Sequence, residues 1–153
     1  MRENPYANEV IQIAQSKLGL AEQGGKNQGP IVEWSIAEWS DDSPGEWAKW
    51  CAGFACTCLL YAGAPVRSVA SLSCQRLWDR CEQRGYARKA SLDDEPTSGE
   101  LIFFGEHHLE HVGLVESVFD GQVVTIEGNA DDEVQRREYS LSDPWIYGYA
   151  LVV

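Results

Sequence analysis

The chain has 153 residues, a length that suits one domain burying roughly two thirds of its unfolded surface, so residues 1–153 are expected to form a single unit without metal or disulfide staples. With 44% hydrophobic and 24% charged residues and six Trp, the composition excludes a disordered or fibrous chain. Twenty-four Asp and Glu against twelve Lys and Arg leave a net charge of −12, which opposes binding to nucleic acid or to an anionic membrane surface.

Residues 1–20 carry Arg2, Glu3, Glu9 and Lys17 and contain no apolar run of a secretory leader. The expected location is the cytoplasm as synthesised, with delivery elsewhere left to another system. Asn4-Pro5 reads as the N-cap and first position of a helix, followed at helical spacing by Tyr6, Val10, Ile13, Ala14 and Leu18, with Gly19 closing it. A Gly-rich loop over 22–30 leads to a short helix containing Ile31, Val32, Trp34, Ile36 and Trp39, and a second loop spans 40–46. Residues 50–62 are apolar all round, the pattern of a helix enclosed by its own domain. The uncharged stretch over 50–66 is too short for a membrane span of about 20 residues and is broken by Gly63 and Pro65, so no membrane insertion is expected.

A further helix is predicted over 69–84, where Cys74, Leu77, Trp78 and Cys81 make an apolar stripe and Arg76, Arg80 and Arg84 a solvated row. Beyond Pro96 the period changes, and strands are predicted over 100–104, 111–119, 122–127 and 146–153. Asp120-Gly121 between two of them is a strong hairpin signal. Helices first and antiparallel strands afterwards imply an α+β domain with the central helix packed on a C-terminal sheet.

Of the five cysteines, Cys51 stands apart because it opens the central helix, where unpaired N–H groups and the helix dipole favour a thiolate. The same N–H groups can hold the oxyanion formed when sulfur attacks a carbonyl. Cys56, Cys58, Cys74 and Cys81 are read as small buried core residues. Seven-residue spacings place Cys51 from Cys58, and Cys74 from Cys81, about 10 Å apart along a helix, so only bridges between helices are sterically open. A base for Cys51 must come from His107, His108 or His111, and His111 alone opens a strand, so its direction is fixed. Gly105, Gly113 and the lack of an H-E-x-x-H spacing argue against a helical metal site in this segment. Glu127 and Asn129, two apart at the end of the paired strand, are the candidates to orient the imidazole if the strand continues regularly.

These residues resemble the CHAP amidases, cysteine, histidine-dependent amidohydrolases and peptidases within the papain-like hydrolases. The likeness is carried by LGLAEQGGKNQGPIVEW, WCAGFACTCLLYAG, SGELIFF, HVGLVESV and TIEGN, in that order. It implies a papain-like fold with Cys51 as nucleophile, His111 as general base and then acid, Glu127 as the histidine-orienting residue and Asn129 as a fourth polar member. It implies a peptidoglycan or peptide substrate, cut at the muramoyl-alanine amide or within the stem or cross-bridge, through a thioester. No cofactor or metal is expected, since Asp41-Asp42 is too slight for the Asp-rich calcium loop that some members carry before the nucleophile. Trp50 and Asn27 are expected to line the cleft. A phage lysin or antibacterial effector, with a delivery or immunity protein as partner, is the setting this suggests. A hydrolase of a cytosolic protein or small amide, and a non-catalytic binding module on the same fold, are the competing readings.

Overall fold

The computed structural model describes residues 3–42 and 49–153. The 40–46 loop therefore lies largely outside the described residues. Helix α1 spans Ala7–Ser16 and α2 spans Pro30–Ile36, continued by a 3-10 segment over Ala37–Asp42. Helix α3 spans Cys51–Tyr61 and α4 spans Cys74–Gln83. Strands β1 Ala87–Lys89, β2 Leu101–Phe104, β3 His111–Phe119, β4 Gln122–Ala130, β5 Glu133–Ser140 and β6 Ile146–Ala150 form one antiparallel sheet in the order β1-β6-β2-β3-β4-β5.

Two helix starts differ from expectation. Asn4 is not the N-cap of α1: its Oδ1 accepts the Tyr6 N–H at 3.0 Å, and the helix begins at Ala7. An Asx turn has taken the side chain that a cap would have used. Helix α4 begins at Cys74, where Ser73 Oγ accepts the Arg76 N–H. Val69, Ala70 and Leu72, inside the range predicted for this helix, are buried in the segment that precedes it and are not part of α4.

Helix α3 is buried from Cys51 to Leu59 and packs on β3 and β4, with α1 and α2 against its other sides. Strand alternation divides the sheet cleanly. Leu101, Phe103, Val112, Leu114 and Ile126 join the helices in the main core, whereas Ile102, Phe104, Val115 and Val123 pack on the opposite face with Ile146 and Tyr149. Gly128, on the helix face of β4, is required by close approach: a Cβ there would lie 2.5 Å from Cβ of Phe54 in α3. The β3–β4 hairpin turns through Asp120 and Gly121 at φ 48 and 73, the type I′ geometry expected of that dipeptide. Helices first, with the Cys51 helix packed on a C-terminal antiparallel sheet, is the α+β, papain-like arrangement expected.

Strand β4 runs to Ala130, and strands β1 and β5 add the two edges. Backbone bonds from Gly19 to Val134, from Val134 to Leu20 and from Glu22 to Asp132 tie the segment after α1 to the start of β5. That stitching brings the Gly-rich loop beside the sheet end where β3 begins and β4 finishes.

Candidate active site

Cys51 is the first residue of α3, and the Phe54 N–H is already bonded to the Trp50 carbonyl at 2.8 Å. The N–H groups of the first turn thus lie outside the helical ladder, pointing from the helix start. His111 is the first residue of β3 and lies with Phe104, Thr125 and Glu127 on the sheet face turned from the helices. Sitting at the sheet's end, it faces Cys51, and the two side chains act on each other's titration, His111 lowering the pKa of the Cys51 thiol and Cys51 raising that of the imidazole.

The Nε2–H of His111 donates to Glu127 Oε1 at 2.7 Å, which leaves Nδ1 as the nitrogen for the sulfur. Glu127 is fully buried, and its other oxygen accepts from Thr125 Oγ1 at 2.6 Å and from the Tyr139 hydroxyl at 2.8 Å. One carboxylate oxygen is thereby reserved for the histidine. Gly113, next on the same face of β3, makes the room: a Cβ there would lie 2.7 Å from Glu127 Cγ.

The electrostatics follow from these contacts. The Cys74 side chain hydrogen-bonds the Cys51 sulfur, and together with His111 and the Val112 N–H it outweighs burial and holds the Cys51 thiol well below its ordinary range. Burial disfavours an imidazolium at His111, but hydrogen bonds and charges from Cys51 and Glu127 prevail and raise it to about 10. Burial also opposes the Glu127 carboxylate, yet His111, Thr125 and Tyr139 keep it below the usual range. A thiolate beside an imidazolium that is itself anchored to a carboxylate is chemically able to attack a carbonyl and return a proton to a leaving group.

Trp145 lies beside His111, its ring nearly parallel to the imidazole with centroids 6.2 Å apart and stacked on Phe104 at 4.5 Å. Beside it opens a cleft of about 1120 Å³ whose walls include His111, Asn129, Trp145, Asn27, Lys26, Lys49, Asp131 and Arg137. Asn129 does not continue the regular strand. A bulge falls between Glu127 and Ala130 and Asn129 adopts φ 55, so Glu127 points to the histidine while Asn129 faces the cleft. Asn27 is among the residues lining the cleft, with its backbone N–H donating to Glu22 Oε1 at 2.8 Å.

Trp50, expected on the cleft wall, is instead fully buried and donates its indole N–H to Glu22 Oε2 at 2.9 Å. An amphipathic ring at a helix N-cap is stabilised by full burial once its N–H has a partner. Glu22 therefore joins the Gly-rich loop to the start of α3. Glu22, Cys74, Thr125, Tyr139 and Trp145 were not singled out by sequence reasoning; only Thr125, two residues before Glu127 on one strand face, carried a usable signal. Among the described residues, no group of three or more His, Cys, Asp or Glu is arranged to hold a metal ion. No helix among them is long and apolar enough to cross a membrane.

A match to the CHAP domain covers residues 40–129 of the chain. The chain belongs to the CHAP domain family. CHAP domains are generally hydrolytic, of the peptidoglycan amidase or peptidase type. This CHAP chain also shares its fold with the crystal structure of Ly7917, at 17% identity and a TM-score of 0.52, and with that of Ly7917 with the hydrolyzing product of MDP, at 16% identity and 0.51. Each alignment covers 95% of the CHAP chain and 62% of the Ly7917 chain, so it spans less than two thirds of those proteins. No curated protein matches it.

Proposed function

We propose that this CHAP chain is a cysteine hydrolase that cuts an amide bond of peptidoglycan, with 1–153 acting as one catalytic domain. The observation that carries the reading is the 2.7 Å contact of the buried Glu127 carboxylate with the His111 imidazole, which in turn lowers the pKa of the Cys51 thiol at the start of α3. Cys51 attacks the carbonyl carbon, and the first-turn N–H groups of α3 receive the oxyanion. His111 protonates the departing amine as the C–N bond breaks, leaving a thioester on Cys51. It then takes a proton from water, whose oxygen attacks the thioester and releases the acid. Glu127 keeps the imidazole in the tautomer and orientation both steps require. Asn129 and Asn27 hold the substrate from the cleft walls.

The peptidoglycan assignment draws on the family and on the Ly7917 structure with the hydrolyzing product of MDP. The cleft itself suits a peptide bearing both carboxylates and amines, because Lys26, Lys49 and Arg137 share it with Glu110, Asp131 and Asp132. We place the bond at the muramoyl-alanine amide or within the stem or cross-bridge, in a lysin or antibacterial effector brought to the wall by another system. The test is incubation of purified sacculi with wild type and Cys51→Ala, followed by mass spectrometry of the released fragments. Wild type is expected to release fragments with one new amine and one new carboxylate end, at a rate at least about a thousandfold above the variant. Absence of release from every wall chemistry tried, with cleavage of a protein or small amide instead, would replace this reading with a hydrolase of other amides.

A further inference from the structure

Hydrolysis through a thioester uses one sulfur, but two meet at this site. Cys51 opens α3 and Cys74 opens α4, and their Sγ atoms are 3.6 Å apart in a buried contact. Both are free thiols. The other cysteines are placed differently: Cys58 and Cys81 have thiols pushed up by burial, and Cys56 approaches the Ser71 carbonyl. A disulfide bond is about 2.05 Å long, so the two sulfurs need to close by roughly 1.5 Å. The start of α4 is held from both sides, by the Ser73 cap and by Gln75 Oε1 accepting the Leu109 N–H at 3.2 Å. Cys74 is thus kept against Cys51 by the same segment that leads into His111.

We propose that Cys51 and Cys74 are a reversible oxidative modification site, in which a peroxide oxidises Cys51 and Cys74 closes a disulfide that a thiol reductant reopens. The Cys51 thiolate attacks one peroxide oxygen, the O–O bond breaks, and Cys51 becomes a sulfenic acid while the departing hydroxide takes the His111 proton to leave as water. The Cys74 sulfur then attacks the Cys51 sulfur, the S–O bond breaks, and the Cys74 proton leaves with that hydroxide as a second water. Two thiols are oxidised by two electrons and one peroxide is reduced to two waters.

The order of events is set by the contact itself. While Cys51 is a thiolate, Cys74 donates its hydrogen to it, and that bond, burial and the neighbouring charge hold the Cys74 proton in place. Conversion of Cys51 to a neutral sulfenic acid removes the negative charge on its sulfur and so weakens it as an acceptor, which makes it easier for Cys74 to ionise when its attack is needed. With Cys51 bridged, no thiolate remains for acyl transfer, so the bridge is also an off state; this last consequence rests on the hydrolase reading.

The bridge is read by mass, independently of activity. Reduced wild-type protein is treated with hydrogen peroxide, digested without reduction, and mapped. A peptide pair joined through Cys51 and Cys74, absent after dithiothreitol, is expected. In Cys74→Ser, or Cys74→Ala where serine is not accommodated, Cys51 is expected to gain two oxygens as a sulfinic acid that dithiothreitol does not reverse. In parallel, fragment release from sacculi by wild type should fall at least tenfold on bridging and return on reduction. A Cys51 sulfinic acid in wild type with Cys74 still free, or a bridge from Cys51 to any other cysteine, overturns the proposal even where the reduced protein hydrolyses sacculi. A reversible Cys51–Cys74 bridge in a protein that never hydrolyses supports the modification site and overturns only the hydrolase reading.

Discussion

Helix α3 and strand β5 both support the His111 pair, and they do so by opposite physics. Helix α3 is buried nearly throughout and delivers Cys51 by apolar packing against β3 and β4. Strand β5 is a polar edge whose residues are mostly half-buried or exposed, and it delivers the Tyr139 hydroxyl to a buried carboxylate. The sulfur is thus located by shape and the Glu127 charge by hydrogen bonds. A packing-held group tolerates polar change at a distance but not added volume, whereas a bond-held charge tolerates volume but not loss of a donor.

The largest effect is expected where the two supports meet. Glu127→Gln removes the charge that anchors His111 and should lower the rate of sacculus hydrolysis on the order of a hundred- to ten-thousandfold. The pH profile should move as well. In wild type the active ion pair exists above the depressed Cys51 pKa and is lost as pH rises through about 10, where His111 gives up its proton. Removing a neighbouring anion lowers the pKa of a cation, so in Glu127→Gln the alkaline limb should shift to lower pH.

Next in size are two substitutions that separate the supports. Gly128→Ala presses a methyl into Phe54 and should cost about 1–3 kcal/mol in denaturant unfolding, displacing Cys51 through its helix. Tyr139→Phe keeps the volume but leaves Glu127 one donor short and should cost about 1–3 kcal/mol, raising the Glu127 pKa while leaving α3 packed. If Tyr139→Phe leaves the pH profile unchanged, the hydroxyl does not hold the charge. The smallest effect is expected at the rim. Arg137 pairs with Asp131 at 3.1 Å in an exposed setting, and Arg137→Gln should change stability by less than about 1 kcal/mol.

The contrast also explains what could be read from the chain in advance. Helix α3 announces itself because its residues are apolar all round, and β3 and β4 because apolar runs flank Asp120-Gly121. Strand β5, EVQRREYS, has little apolar alternation to show, since only Val134 is fully buried along it, and β1 is a three-residue ARK edge. Edge strands keep charged residues that a central strand cannot, so their pattern resembles a loop. At the site, Cys51, His111 and Glu127 were legible because each sits at the end of a readable element. Cys74 was read as an inert core thiol, for its 23-residue separation from Cys51 says nothing about the 3.6 Å between their sulfurs. Trp50 was misplaced for a related reason: sequence gives its position at the head of α3 but not the Glu22 carboxylate that lets it be buried.

The claim on which the rest depends is that Cys51 is a thiolate and that His111, beside the Cys74 hydrogen bond, is needed to keep it one. The direct measurement is the rate of Cys51 carboxamidomethylation by iodoacetamide across pH, followed by mass spectrometry in wild type and His111→Ala. Wild type is expected to react well below the pH range of an ordinary thiol, and the variant to lose that low-pH reactivity. Equal profiles in the two proteins, or a Cys51 that stays inert in wild type, would contradict the account.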